Sequence, residues 1–168
     1  MKDSTPTPRQ VAVAFIVATR QVHHQSTPHV LVVSSRKHKG KFVLPKGGIE
    51  QDELAQEAAE REAWEEAGLI LGQAMHLDHV ATLADSKPHQ SSPTQDSTHS
   101  DFVTSTMYHV ELFVVQDIET SLASDWPEAN QRQRQWITGW QQLKDVCCWG
   151  RRQDVMTQAI DMVKSRLQ

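Results

Sequence analysis

Gly47-Gly-Ile-Glu-Gln-Asp-Glu-Leu-Ala-Gln-Glu-Ala-Ala-Glu-Arg-Glu-Ala-Trp-Glu-Glu-Ala-Gly-Leu69 decides how this chain is read. A glycine pair opens it, and from about Asp52 to Ala67 the pattern predicts a helix, with Gly68 as its natural C-terminal stop. At about 100° per residue, Glu62 and Glu66 prolong the line through Ala55, which Ala58 and Ala59 flank. A face of small residues is the one a helix lays close against a sheet, so these two carboxylates continue a packing face and do not simply point to solvent. Glu62, Glu65 and Glu66, spaced i, i+3, i+4, occupy neighbouring parts of one side.

Charge pairing sharpens the point. Arg61 can pair with Glu57 or Glu65, each four residues away, whereas Glu62 and Glu66 have no cation at that spacing and face each other. Like charges four apart destabilise a helix by a few tenths of a kcal/mol, and more when partly buried. The simplest compensation is a divalent cation with hard oxygen ligands, Mg²⁺ or Mn²⁺, which commonly joins carboxylates to phosphate oxygens. That arrangement serves phosphoryl chemistry. An ordinary acidic surface helix is the alternative, and three glutamates alone leave the two readings open.

Outward from this segment, Val11 to Ala18 is an apolar run of β-branched and small residues, the pattern of a strand buried on both faces. Polar Gln21 to Pro28 reads as a turn, and Val30 to Val33 as the second strand of a hairpin. Lys41 to Leu44 makes a short third strand, stopped by Pro45 and the Gly47-Gly48 pair. His79 to Leu83, Met107 to Val115 and Gln135 to Thr138 read as further strands, and Asp154 to Leu167 as an amphipathic C-terminal helix. Between two of these strands, Asp85 to Thr106 is dominated by Ser, Thr, His, Pro and Gln, and is expected to be a flexible insertion. The expectation is a frayed tail over 1–8 and one domain over 9–168, of α+β class, a mixed sheet sandwiched by helices.

With 168 residues, 17 Lys+Arg and 21 Asp+Glu, the chain carries a formal charge of −4. Binding of DNA or a membrane surface through bulk positive charge is not expected. Cys147 and Cys148 are adjacent, so no disulfide framework is possible, and His109 is too isolated to complete a zinc site. With no apolar leader at Met1–Pro6 and no spanning segment, a soluble, cytoplasmic protein, also nuclear in reach, is expected.

The quoted segment resembles the Nudix box, G-x5-E-x7-R-E-U-x-E-E-x-G-U with U aliphatic. Gly47, Glu53, Arg61, Glu62, Ala63, Glu65, Glu66, Gly68 and Leu69 fill every defined position. The chain is therefore identified as resembling the Nudix hydrolases, which implies an α/β/α sandwich around a mixed sheet. Val33-Ser34-Ser35-Arg36, Phe42 to Gly48, Asp125-Trp126-Pro127-Glu128 and Gln131 to Trp136 resemble the diphosphoinositol polyphosphate phosphohydrolases, especially the fungal branch that also cleaves diadenosine polyphosphates.

By that resemblance Glu62 and Glu66, with the backbone carbonyl of Lys46, hold Mg²⁺ or Mn²⁺, and Glu65 is the general base. Glu53 and Arg61 form a structural ion pair. Arg9, Ser35, Arg36, Lys37, Arg134 and one of Arg151 and Arg152, taken as Arg152, contact substrate phosphates. The implied activity is Mg²⁺-dependent release of phosphate from diphosphoinositol polyphosphates by a monomer whose partner is a small polyphosphorylated molecule. Hydrolysis of diadenosine polyphosphates, polyphosphate or capped RNA, and non-catalytic binding of inositol pyrophosphates, are the alternatives. One departure is visible: Asp101 to Thr106 lacks the Lys and Arg that the family places before the following strand. Trp64, Trp136 and Trp140 are expected to pack, and the histidines at 23, 24, 29, 89 and 99 to be solvated; His109 is open between core and cleft.

Overall fold

The computed structural model describes residues 4–22 and 25–168. His23, His24 and the first three residues of the expected tail lie outside the described residues. The apolar run forms the middle of β1 (Arg9–Val22), and every residue from Val11 to Ala18 is buried. Strands alternate their side chains, so this one strand serves two cores. Val11, Val13, Phe15 and Val17 face one, and Ala12, Ala14, Ile16 and Ala18 face the other.

The remaining strands are β2 (Gln25–Ser34), β3 (Phe42–Val43), β4 (Lys46–Gly48), β5 (Ala74–Ala84), β6 (Thr106–Val115) and β7 (Arg134–Thr138). They form one seven-stranded mixed sheet ordered β3-β2-β1-β6-β5, with β4 on β1 and β7 on β2. β1 runs antiparallel to β2 and parallel to β6. Helix α1 (Ala55–Ala67) covers the alanine face of the sheet, and α2 (Trp140–Cys147) and α3 (Gln153–Leu167) cover the other. This is the α+β sandwich expected from the order of elements. Among the described residues no helix is long and apolar enough to cross a membrane.

Several local expectations shift, each for a physical reason. The glycine pair was expected to end a strand, yet Lys46–Gly48 is itself one, pairing Val13↔Lys46, Ala12↔Gly47 and Val11↔Gly48. β2 pairs with β1 only from Val17 onward, so the first half of that edge needs another partner for its polar backbone. Helix α1 begins at Ala55, three residues after Asp52, because residues 50–54 close their own turn. Glu53 Oε2 accepts the Glu50 N–H at 2.8 Å, and Asp52 takes a φ of 63°. Helix α2 was not expected: two turns are too short for a period to stand out, although Leu143 and Cys147 bury one face.

β5 is longer than expected, its half-polar ends held on β6 across two register shifts. The insertion over 85–106 has a hydrogen-bonded neck. Asp85 N–H donates to Thr106 O at 2.9 Å, Ser105 N–H to Lys87 O and His89 N–H to Val103 O at 2.8 Å each. Short Ser, Thr and Asp turns satisfy this backbone where apolar residues are scarce.

Candidate active site

The site grows out of how α1 lies on the sheet. Ala58, Ala59, Ala63 and Ala67 are fully buried, and their small side chains let the helix approach β1 and β2 closely. Glu66 shares that face and is 5% exposed, whereas the Glu65 side chain is 40% exposed. Gly68 stops the helix with a φ of 69°, returning N–H groups to Ala63 and Trp64 carbonyls. Opposite the helix, β4 brings Gly47 against Glu62: a Cβ on residue 47 would stand 2.0 Å from Glu62 Oε1.

Glu65 keeps the Arg61 partner that helical spacing offered, while Glu62 and Glu66, which have no cation at that spacing, find theirs elsewhere. Arg61 Nη1 lies 2.8 Å from Glu62 Oε1 and 3.5 Å from Glu65 Oε2. Its Nε contacts Glu53 Oε1 at 2.8 Å and its Nη2 donates to Gly48 O at 2.9 Å, so one guanidinium staples the helix to the 48–53 turn. The Arg61–Glu57 pair offered as one option does not form, because Glu57 instead accepts the Leu54 N–H at 2.9 Å at the helix start. Glu66 Oε1 meets Arg132 Nη2 at 2.9 Å, and its Oε2 accepts the Lys46 N–H at 3.3 Å.

Burial dominates the electrostatics. It pushes the Glu66 carboxyl up to about 7 against the opposing pull of Arg132 and Lys46, and raises Glu62, where Glu65 and Glu128 add to the effect and Arg61 opposes it. The Lys46 ammonium is lowered to about 8, first by burial and then by Arg152.

The segment from Asp125 to Trp136, marked in the sequence only by its resemblance, completes this region. The last turn of α1 carries no basic residue, which leaves its carbonyls without partners from within. Trp126 Nε1 donates to Glu66 O at 3.0 Å, Glu128 N–H to Glu65 O at 3.0 Å and Arg134 Nη1 to Ala67 O at 2.9 Å. Arg132 also joins Glu128 Oε2 at 2.6 Å and Ser34 O at 2.8 Å, with its side chain only 7% exposed. Glu128 and Arg132 lie within the two stretches, 125–128 and 131–136, that carry the resemblance noted above, which assigned neither of them a contact.

The expected phosphate contacts divide. Arg36 sits beside the cluster, bonded to Gln131 Oε1 at 2.9 Å and 3.4 Å from Glu128 Oε1. Arg9 lies next to Gly48, and Arg152 acts on Lys46 while donating from Nε to Tyr108 Oη at 2.8 Å. Ser35 accepts the His38 N–H at 3.2 Å, closing the turn on which exposed Lys37 stands. Arg134 is engaged elsewhere: its guanidinium stacks 3.8 Å from the Trp126 ring and bonds Ala67 O and Ala123 O. Trp136 and Trp140 pack against the two cores, while Trp64 is 38% exposed. His109 is half-buried in a polar row, with Nδ1 3.3 Å from Thr82 Oγ1 and Nε2 2.6 Å from Gln10 Oε1.

The donor set suits a hard divalent ion. Among the described residues no three acidic, His or Cys side chains already converge as ion ligands, since Glu62 rests on Arg61 and Glu66 on Arg132. The missing side chain at Gly47, the oxygen-only chemistry of Glu62 and Glu66 and their one-turn separation nevertheless leave a cradle of carboxylate oxygens where positive charge is favoured.

The sequence matches the NUDIX domain family over residues 8–152. It is 36% identical over 118 residues to Nudix hydrolase 4 of Arabidopsis thaliana, covering 70% of this chain and 47% of that protein. It is 33% identical over 141 residues to Nudix hydrolase 18, mitochondrial, of the same plant, covering 82% and 64%. The chain therefore spans about half to two thirds of the length of these curated relatives. Among solved structures, the fold resembles a C. elegans Ap4A hydrolase with a TM-score of 0.65 at 15% identity, covering 96% of this chain and all of that one. The NUDIX domain of Shewanella oneidensis NrtR, crystallised with ADP ribose, gives 0.58 at 14% identity, covering 100% and 94%. At such identities the likeness speaks for the fold.

Proposed function

This chain belongs to the Nudix family, and from that premise we propose that it is a phosphoanhydride hydrolase that releases phosphate from diphosphoinositol polyphosphates. The observation that carries the reading is the pair Glu62 and Glu66, one turn apart and bordered by cations, Glu66 buried and Glu62 half-buried against Gly47. Lys46, Arg9, Arg36 and Arg152 supply the positive charge that a substrate bearing many phosphates requires, the arginines as planar forks suited to phosphate oxygens.

Glu62 and Glu66, with the Lys46 carbonyl, would hold Mg²⁺ or Mn²⁺. When bound, such an ion neutralises charge building on the phosphate oxygens. Glu65, the most exposed of the three carboxylates, would take the proton of the attacking water. The new bond joins that water's oxygen to phosphorus, the anhydride P–O bond breaks, and phosphate departs. Arg61 keeps the helix and the 48–53 turn in register while this happens. Lys46, Arg9, Arg36 and Arg152 orient the anion.

A second reading, hydrolysis of a diadenosine polyphosphate, is favoured by one observation. The stretch 101–106 has no cation, and buried Asp85 places a negative charge near Tyr108, so that side of the cleft favours a less highly charged substrate. A hydrolysis assay that reads orthophosphate from an inositol pyrophosphate and polyphosphate, and mononucleotides from a diadenosine polyphosphate, each with and without Mg²⁺, separates the readings. The proposal expects turnover of the inositol pyrophosphate that needs Mg²⁺ and collapses in Glu66→Gln while the fold persists. A strong preference for the dinucleotide would overturn the substrate assignment, and unchanged turnover in Glu66→Gln would overturn the role of that carboxylate.

A further inference from the structure

The guanidinium of Arg132 touches three acceptors that belong to three different elements: Glu66 on α1 at 2.9 Å, Glu128 on the loop after β6 at 2.6 Å and the Ser34 carbonyl at the end of β2 at 2.8 Å. The side chains of Arg132 and Glu66 are both 7% exposed. A buried pair of this kind is strongly destabilised when one partner is left alone. A divalent ion on Glu66 would therefore place two cations on one carboxylate, unless the guanidinium had another anion to keep.

Glu128 is that anion. Its backbone N–H is tied to Glu65 O at 3.0 Å, which fixes it to the helix carrying the metal-site carboxylates. One carboxylate oxygen holds Arg132 Nε, and the other lies 3.4 Å from Arg36. Its charge is also felt at Glu62. Resting on the metal-site reading above, we propose that Arg132 is the resident counter-cation of Glu66 and that Glu128 retains this guanidinium when a divalent ion takes the carboxylate. Arg132 and Glu128 are thus positioning residues. An anionic substrate that draws Arg36 away leaves Glu128 wholly to Arg132 and so eases ion binding. The two binding events help each other, by the reciprocity of linked equilibria.

The test measures Mn²⁺ binding alone, by titration calorimetry without substrate, on the full chain. Glu128→Gln deprives Arg132 of its alternative anion and leaves it on Glu66, so affinity should fall about tenfold or more. Removing the competitor as well, in Glu128→Gln/Arg132→Gln, should restore most of that loss. A merely structural role predicts the reverse, since the double variant would be the more damaged. Wild-type affinity in Glu128→Gln, or a double variant no tighter than the single, overturns the proposal. In the wild-type protein, the Arg132 side-chain NMR signal should move with Mg²⁺ at the midpoint of binding, and a stationary signal also overturns it, whether or not the variants fold. Undiminished Mn²⁺ binding in Glu66→Gln would instead show that the metal-site reading itself had failed.

Discussion

The Glu62 carboxylate occupies the space where a side chain on residue 47 would have to stand, with Oε1 2.0 Å from the position of a Cβ there. Gly47 is not among the residues with positive φ, so what requires glycine at this position is the carboxylate and not the backbone. Gly47→Ala should therefore fold, because the end of a flexible side chain can move aside. The displaced Glu62 should lower turnover by about 10²-fold, the typical effect of a 1 Å misplacement. Circular dichroism and steady-state kinetics on the same sample check both halves.

Metal binding should register as stability. Glu62 and Glu66 are half-buried and buried carboxyls one turn apart, and an ion bound to the folded state alone stabilises it by about 2.7 kcal/mol at a hundred times its dissociation constant. Mg²⁺ should raise the melting temperature of the wild-type protein and leave that of Glu62→Gln/Glu66→Gln nearly unchanged. Thermal denaturation with and without the ion reads the difference, and equal shifts in both proteins would refute the assignment.

Arg134 should prove a stability residue. It donates to Ala67 O and Ala123 O and stacks on Trp126, capping the helix that carries the glutamates. Arg134→Ala is expected to cost about 2–3 kcal/mol, the scale of a charged hydrogen bond together with a cation–π contact. Substrate KM should change little. Urea denaturation and KM measured together decide between this role and direct contact with substrate.

The histidine row gives a pH signature. Glu111–His79–Thr82–His109–Gln10 makes four contacts of 2.6, 3.1, 3.3 and 2.6 Å, and Gln10 Nε2 donates to Pro8 O, leaving Oε1 toward His109. Burial, then the neighbouring His79, hold the His109 imidazole below its usual 6.5, with Glu111 opposing. Below 6.5 the unfolded chain takes up a proton that folded His109 resists, so stability falls as pH falls through that window. His109→Gln should show a shallower fall between pH 7.5 and 5.5 in urea denaturation, and an identical slope would contradict this account.

Much of the site was legible because helical geometry is local. Spacing alone placed Glu62, Glu65 and Glu66 on one side of α1, and the alanines beside them identified that side as the packed one. Gly68 ended the helix where the pattern said it would. The run from Val11 to Ala18 announced a strand with no solvent face, which in turn required helices on both sides of the sheet. β4 was not legible, because a glycine pair reads as a turn until the unpaired edge of β1 is known to lie beside it.

Local spacing placed the Arg61–Glu65 pair but not the counter-charges of Glu62 and Glu66. Glu62 takes its cation from the adjacent Arg61, which a search four residues away does not consider. Glu66 takes its own from Arg132, 66 residues along the chain. That contact exists because β7 pairs with β2 in the register Val33↔Arg134, which sets Arg132 beside the Ser34 carbonyl and over the end of α1. Which side of a helix is acidic follows from a repeat of 3.6 residues and can be read from the chain by itself. Which cation answers it follows from strand register and long-range packing, and only the folded molecule decides that.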